Sequence, residues 1–402
     1  MIRYYFNLVF LLLTLRLLAQ DHSTCNTQRY RLDVFDNVKV TKDIKFADEI
    51  TIAGNAQELY MDVYEPEDDA AVNRPVVVLG FGGSFITGSR RDIAPICEMF
   101  AKKGYVAVTI DYRIYDLPLI PIPTKEEMQD VVVRAIKDLK SALRYLDNDA
   151  KAENSYRLDM SWLYVGGISS GGIAAIHAAM LDSTDVYSPE IASAIAMHAP
   201  IYGITDTDTS IKIRGVLNYS GALHDVAWLD SGDPPFISFH DVGDPTVPYK
   251  GGYAQVLAQD IIYLDGSFVM DSAAKANSVF SILNTIESNT HVSYFRNAEK
   301  AMEVVDASAL FMYDMICSET ADVAEIAVSK PYTFGPNPTA GSLGIEVKGD
   351  AVVSLYDLTG RLLSTQTITH ADMLNLHEYA PGSYLLKIRI GDAVHTEKIM
   401  RE

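Results

Sequence analysis

The chain has 402 residues, 48% of them hydrophobic, which is enough for one large domain with its own core plus a smaller one and is too apolar for a disordered chain. Its 53 acidic residues outnumber the 33 basic ones and give a formal net charge of -20, so a phosphate backbone or an anionic membrane surface is repelled and no nucleic acid is expected as a partner. The acidic surplus is scattered rather than blocked, as in a soluble protein kept apart by self-repulsion.

The opening stretch MIRYYFNLVFLLLTLRLLAQDHS places Arg3 ahead of an apolar run from Phe6 to Leu15, with Leu17 and Ala19 spaced for cleavage after Ala19; this predicts a signal peptide over residues 1–19. Arg16 interrupts the run well short of the roughly 20 residues that a bilayer-spanning helix needs. A polar arm follows, and ELYMDVYEP then reads as a strand ended by Pro66. RPVVVLGF (74–81) and YVAVTIDYR (105–113) are continuous apolar runs, the pattern of inner strands covered on both faces, and DIAPICEMFAKKG between them is a helix stopped by Gly104. The clearest helix begins at TKEEM, where Thr124 and Glu127 form a capping box and Met128, Val132, Ala135, Leu139, Ala142 and Leu146 make an apolar stripe. SWLYVGG reads as a strand, GIAAIHAAMLD as a helix, and IASAIAMHAP and PPFISFHD as strands. This alternation predicts an α/β domain with a mostly parallel sheet and helices on both faces.

Beyond it, YKGGYAQVLAQD and DSAAKANSVFSILNTIES read as helical, and NAEKAMEVVDASALFMYDMIC as a final helix. At residue 330 the composition changes: PYTFGPNPTAG is a punctuated junction, followed by period-two strand patterns broken by LTG, PG and IGD. The expected organisation is therefore a large α/β domain with its N-terminal arm over 20–329 and a small all-β domain over 330–402. Cys25, Cys97 and Cys317 lack metal-binding spacing. In an exported chain one disulfide is plausible, and Cys25–Cys97 is the pairing expected because it would tie down the arm; buried free thiols are the alternative.

The chemistry centres on VGGISSGGIA (165–174), a strand, a tight turn and an immediate helix. In that context G-x-S-x-G places Ser169 on a sharp turn with its hydroxyl projecting above the sheet edge, Ser170 being the less suited alternative nucleophile. The amide of Ser170 at the helix start, with those of Gly83 and Ser84 in the glycine-rich loop VLGFGGSFITGS, would face a developing oxyanion. A serine needs a base oriented by a carboxylate. PPFISFHDVGDPTVPY offers Asp244 as the acid, with Asp241 the competitor, and His291 is the only histidine between that loop and the tail. His198 and His240, ending predicted strands, together with Phe81 and Phe85 in the glycine-rich loop, are candidates for lining the substrate cleft. No metal-binding motif, dinucleotide fingerprint or P-loop is present, so neither metal nor cofactor is expected.

These segments resemble the alpha/beta-hydrolase superfamily, and within it the carboxylesterases and lipases with an H-G-G-S-F or H-G-G-G oxyanion loop. The likeness spans about 45–317 and rests on FGGSF (81–85), DYR (111–113), GISSGG (167–172), HDVGDPTVP (240–248) and His291. It implies an alpha/beta-hydrolase fold, nucleophile, acid and base at Ser169, Asp244 and His291, and oxyanion amides at Gly83, Ser84 and Ser170. Phe81 stands where the family usually has the loop histidine. The tail is similar to the C-terminal sorting domain of the type IX secretion system of Bacteroidetes, through PNPTAG (336–341), VSLYDLTGRLL (353–363), APGSYLLKI (380–388) and the closing KIMRE. That likeness implies periplasmic passage and recognition by an outer-membrane secretion machinery, ending in release or surface attachment. The expected activity is hydrolysis of a small-molecule or polymer-borne ester of short to medium acyl chain or aromatic character through an acyl-enzyme. A serine peptidase, and a non-catalytic binding protein on the same fold, are the alternatives.

Overall fold

The structure is a computed structural model that describes residues 28–205, 210–256, 259–318, 332–357, 361–390 and 393–402. The expected signal peptide and Cys25 lie outside the described residues. By internal contacts the chain divides into two units, Met1–Thr320 and Ala321–Glu402.

In the first unit, β1 (Val38–Ile50) and β2 (Ala56–Pro66) form an antiparallel ribbon, followed by β3 (Arg74–Gly80), α1 (Ala94–Lys102), β4 (Val106–Ile110) and α2 (Lys125–Lys151). Then come β5 (Leu158–Ile168), α3 (Ser170–Met180), α4 (Pro189–Met197), β6 (Ile213–Tyr219) and the short β7 (Ala222–Leu223). The unit closes with β8 (Phe236–Asp241), β9 (Gly251–Val256), β10 (Gln259–Gly266), α5 (Ser267–Ala276), β11 (Ser281–Ile286) and α6 (Ala298–Ser318). Eight strands make one sheet in the order β1-β2-β4-β3-β5-β6-β8-β11. β1 and β2 enter antiparallel, and every pairing from β4 to β11 is parallel. This is the alpha/beta-hydrolase fold.

Physical causes are visible in the individual elements. All residues of β3 and β4 are buried, as their unbroken apolar sequence requires of strands covered on both faces. The sheet separates two apolar clusters, one containing Val77, Leu79, Phe100 and Tyr164, the other Val76, Val78, Leu139 and Val165, so alternate residues of each strand serve opposite faces. Helix α2 starts with the expected capping box: the Thr124 hydroxyl accepts the Glu127 amide and the Glu127 carboxylate accepts the Thr124 amide. It is fastened to the end of β4 by Arg113, whose guanidinium donates to both carboxylate oxygens of the fully buried Asp138.

Four expectations are corrected. IASAIAMHAP is a helix, α4, because Ser188 caps it, Pro189 opens it and its alanines favour helix. The described residues of YKGGYAQVLAQD hold no helix: β9 and β10 form an antiparallel pair that also joins β7, consistent with alternating Tyr253, Gln255 and Ile261, Tyr263. DSAAKANSVFSILNTIES is half helix and half strand, and its second half, β11, is the edge strand of the main sheet. Finally, Cys97 is a free thiol buried on α1 and Cys317 is disulfide-bonded, so the Cys25–Cys97 pairing is overturned.

The second unit is a sheet of five strands: β12 (Tyr332–Gly335), β13 (Ser342–Tyr356), β14 (Leu362–Asn375), β15 (Gly382–Ile390) and β16 (Ala393–Arg401). β13 pairs with β12, β14 and β15, all antiparallel, over a core that includes Leu343, Leu355, Leu386 and Ile399.

Candidate active site

The turn between β5 and α3 carries Ser169 at φ 53° and ψ -117°, a backbone conformation that an L-residue adopts only when its surroundings enforce it. Its neighbours do so. A Cβ on Gly171 would come within 2.2 Å of the Gly80 carbonyl oxygen, and one on Gly167 within 2.5 Å of the Gly171 carbonyl carbon, so strand and helix meet as closely as they do only because both positions are glycine. The Ser169 amide donates to the Tyr219 carbonyl of β6 at 2.8 Å, which ties the turn to the next strand.

Asp244 lies in the loop after β8 and His291 in the loop after β11. These two strands are parallel neighbours, so their carboxyl-end loops sit side by side, and backbone bonds join them: Val242 donates to Ile286 and Gly243 to Ser288, both at 2.9 Å. The result is a continuous chain of side chains. The Ser169 hydroxyl donates to Nε2 of His291 at 2.8 Å, and Nδ1 of His291 donates to Oδ2 of Asp244 at 2.6 Å. The other Asp244 oxygen accepts the Thr246 and Val247 amides at 2.8 and 3.0 Å. Burial works to raise the Asp244 carboxyl, but hydrogen bonding to His240 and His291 outweighs it and holds the group down at about 2. Asp241, the competing acid, is engaged elsewhere: it accepts the amide of Ser293 at 2.9 Å and the Ser293 hydroxyl, and so anchors the loop that presents His291. In that loop Val292 is held at φ 55°, a costly position for a β-branched residue.

The loop after β3 approaches the serine from the other side. A Cβ on Gly82 would stand 3.5 Å from that of Ser169, and Gly83, Ser84 and Phe85 all have positive φ, at 139°, 57° and 58°. Tyr112, just beyond β4, holds this loop: its hydroxyl donates to the Phe81 carbonyl at 2.7 Å and lies 3.2 Å from Oγ of Ser170, while its ring stacks on Phe81 at 4.1 Å. Ser170 is the first residue of α3, so its amide lies beyond the reach of the intrahelical ladder.

Ser169, Ser170, Ser84 and Phe85 line a cavity of about 90 Å³. Its apolar walls come from α2, through Met128, Val132, Val133 and Ile136, and from the β9–β10 hairpin, through Ala254, Val256, Ile262 and Leu264. Three of the four residues expected in the cleft are elsewhere. Phe81 is buried under Tyr112. His198 caps the end of α4 and bonds through Nε2 to Asp130 at 2.5 Å. His240 is fully buried behind the acid, with Nε2 facing the Val247 carbonyl at 3.1 Å and Asp244 at 3.5 Å, and Nδ1 facing the Ser267 hydroxyl at 2.7 Å. The sequence reading missed His177, Gln129 and Trp228, which do line the cavity.

Residues 61–226 match the BD-FAE family, and residues 334–402 match the secretion system C-terminal sorting domain. The chain joins a domain of alpha/beta-hydrolase fold to one that matches a secretion sorting domain. The sorting domain marks it as a secreted or cell-surface protein. No curated protein matches it in sequence. Among solved structures it is similar to the esterase Est2 of Thermogutta terrifontis with propionate bound, at 19% identity over 68% of this chain and 95% of that one, with a TM-score of 0.46. It is likewise similar to Thermogutta terrifontis esterase 2 phosphonylated by cyclosarin, at 20% identity over 70% of this chain and 96% of that one, with a TM-score of 0.48.

Proposed function

We propose that this protein is a secreted serine carboxylic ester hydrolase, of carboxylesterase or lipase type, acting through an acyl-enzyme on short to medium acyl or aromatic esters. The observation that carries the reading is the unbroken hydrogen-bonded line from Ser169 through His291 to Asp244, set on a strained turn at a helix start. His291 Nε2 takes the hydroxyl proton as Ser169 Oγ attacks the acyl carbon, and the Asp244 carboxylate fixes the imidazole with its Nδ1 protonated and steadies the imidazolium. The amides of Gly83, Ser84 and Ser170 receive the oxyanion; losing one such donor costs on the order of 3 kcal/mol in the transition state. Protonated His291 gives its proton to the departing alkoxide. Water, deprotonated by the same imidazole, then attacks the acyl-enzyme and regenerates the Ser169 hydroxyl.

In this reading the Phe81–Tyr112 stack, with the Tyr112 hydroxyl on the Phe81 carbonyl, braces the oxyanion loop. The narrow apolar cavity favours acyl chains of a few carbons or a flat ring over long lipids. The test is hydrolysis of 4-nitrophenyl acetate, butyrate and octanoate by the wild type and Ser169→Ala. Activity should fall by about ten thousandfold or more in the variant, with acetate and butyrate preferred over octanoate in the wild type. Undiminished turnover by Ser169→Ala overturns the assignment, and turnover of peptide amides without esters moves it to a peptidase.

A further inference from the structure

Gln129 is only 5% exposed, lies in the first turns of α2 and lines the cavity that Ser169 lines. Its side-chain Nε2 and Oε1 are both buried, and neither has a hydrogen-bond partner among the described residues. A primary amide has two donor hydrogens and an acceptor oxygen, and leaving them unpaired in an apolar setting is costly. The other polar groups nearby are not in that state. His177 uses both ring nitrogens, on the Ile173 carbonyl and the His224 amide; Gln255 donates to Asp260, and the Trp228 indole donates to the Val186 carbonyl. Gln129 also occupies a position where the helix pattern calls for an apolar residue, since Val132, Val133 and Ile136 follow it at intervals of three, four and seven on the same face and line the same cavity. No described residue uses this amide, which leaves it open to a ligand that enters the cavity.

We infer that Gln129 is a specificity-determining residue, and that the part of the ester seated in this cavity carries a hydrogen-bonding group of its own, a ketone or hydroxyl separated from the scissile ester by apolar carbons. The inference rests on the esterase reading above. A site whose buried polar group is left unpaired by a plain hydrocarbon discriminates against that hydrocarbon, whereas an all-apolar pocket discriminates weakly.

Two matched substrate series test it. One compares 4-nitrophenyl hexanoate with its 4-oxo and 5-oxo analogues; the other compares hexyl butyrate with the butyrate of 5-oxohexanol. In the wild type, kcat/KM for the best keto ester should exceed that for its hydrocarbon partner by about tenfold or more in at least one series. In Gln129→Leu that ratio should collapse to about one, while Tm rises because an unpaired amide has been removed from the interior. The inference is overturned if neither series shows a preference, if the preference survives in Gln129→Leu, or if that variant loses thermal stability, which would mean that the amide is paired within the fold. Failure of the esterase reading is read separately, from Ser169→Ala retaining activity on every substrate.

Discussion

The serine side of the cavity and its α2 wall handle buried polarity in opposite ways. Around Ser169 each polar group satisfies the next, from the serine hydroxyl to His291, Asp244, His240 and Ser267, and Ser267 in turn accepts from Asn218 at 3.1 Å. On α2, Gln129 is as deeply buried and is bonded to nothing described. A completed network spends its polarity on fixing geometry, whereas an incomplete one leaves the polarity for whatever enters. The two regions should therefore answer mutation differently: the first in turnover, the second in substrate choice.

After Ser169→Ala, the largest effect should come from interrupting the serine side at its carboxylate. Asp244→Asn keeps the shape but offers an amide where Nδ1–H of His291 now donates, which favours the wrong imidazole tautomer. We expect kcat to fall by about three to four orders of magnitude with KM little changed, measured on 4-nitrophenyl butyrate. A loss of less than about tenfold would show that Asp241 or another group orients the imidazole.

His177 sharpens the contrast, because it lines the same cavity as Gln129 yet is fully paired. Burial is the main cause that pushes its imidazole down, to about 4 from the usual 6.5. A group depressed in the folded state binds its proton first in the unfolded chain. Stability is therefore intact above about pH 6.5, falls as the pH drops toward 4, and levels off below that, for a loss of about 3 kcal/mol from this residue. Urea unfolding of wild type and His177→Leu across pH 4–8 reads the difference: the variant should lack this acid-side slope. At pH 7.5 it should be less stable than wild type, by about 1–3 kcal/mol, because the His224 amide loses its acceptor. Gln129→Leu should change stability in the opposite direction. Equal signs for the two variants would break the distinction between paired and unpaired polarity on which the comparison rests.

Much of the framework was legible from residue patterns. Continuous apolar runs marked β3, β4 and β8, the capping box marked the start of α2, and the glycines flanking Ser169 marked a turn where strand and helix touch. Legibility failed where tertiary packing decides. Alanine-rich α4 and the β9–β10 hairpin have local patterns that suit either state, and the hairpin is a strand pair because it covers the cavity and joins β7. His198 and His240 have the residue type of a site but are consumed by Asp130 and by the back of Asp244. Gln129 left a trace: a glutamine at the head of an i, i+3, i+4, i+7 apolar set is a break in pattern that could have been read as functional.

The smallest expected effect probes how far the serine side extends. Tyr112 touches neither His291 nor Asp244 by any hydrogen bond described, yet its hydroxyl joins the Phe81 carbonyl to the start of α3 at Ser170. In the proposed mechanism it is a positioning residue, acting on the amides of Gly83 and Ser84 through the strand-end loop that carries them. Tyr112→Phe retains the ring stack on Phe81 and removes only the hydroxyl, so the fold should survive and the loop should lose its fixed placement relative to the elbow. An oxyanion donor misplaced by a fraction of an ångström weakens transition-state binding more than substrate binding. The expected signature is a fall of about tenfold in kcat with KM within about twofold, for short and long acyl esters alike. A matching rise in KM would instead place the Tyr112 hydroxyl among the groups that shape the acyl cavity, and the boundary between the two regions would have to be redrawn there.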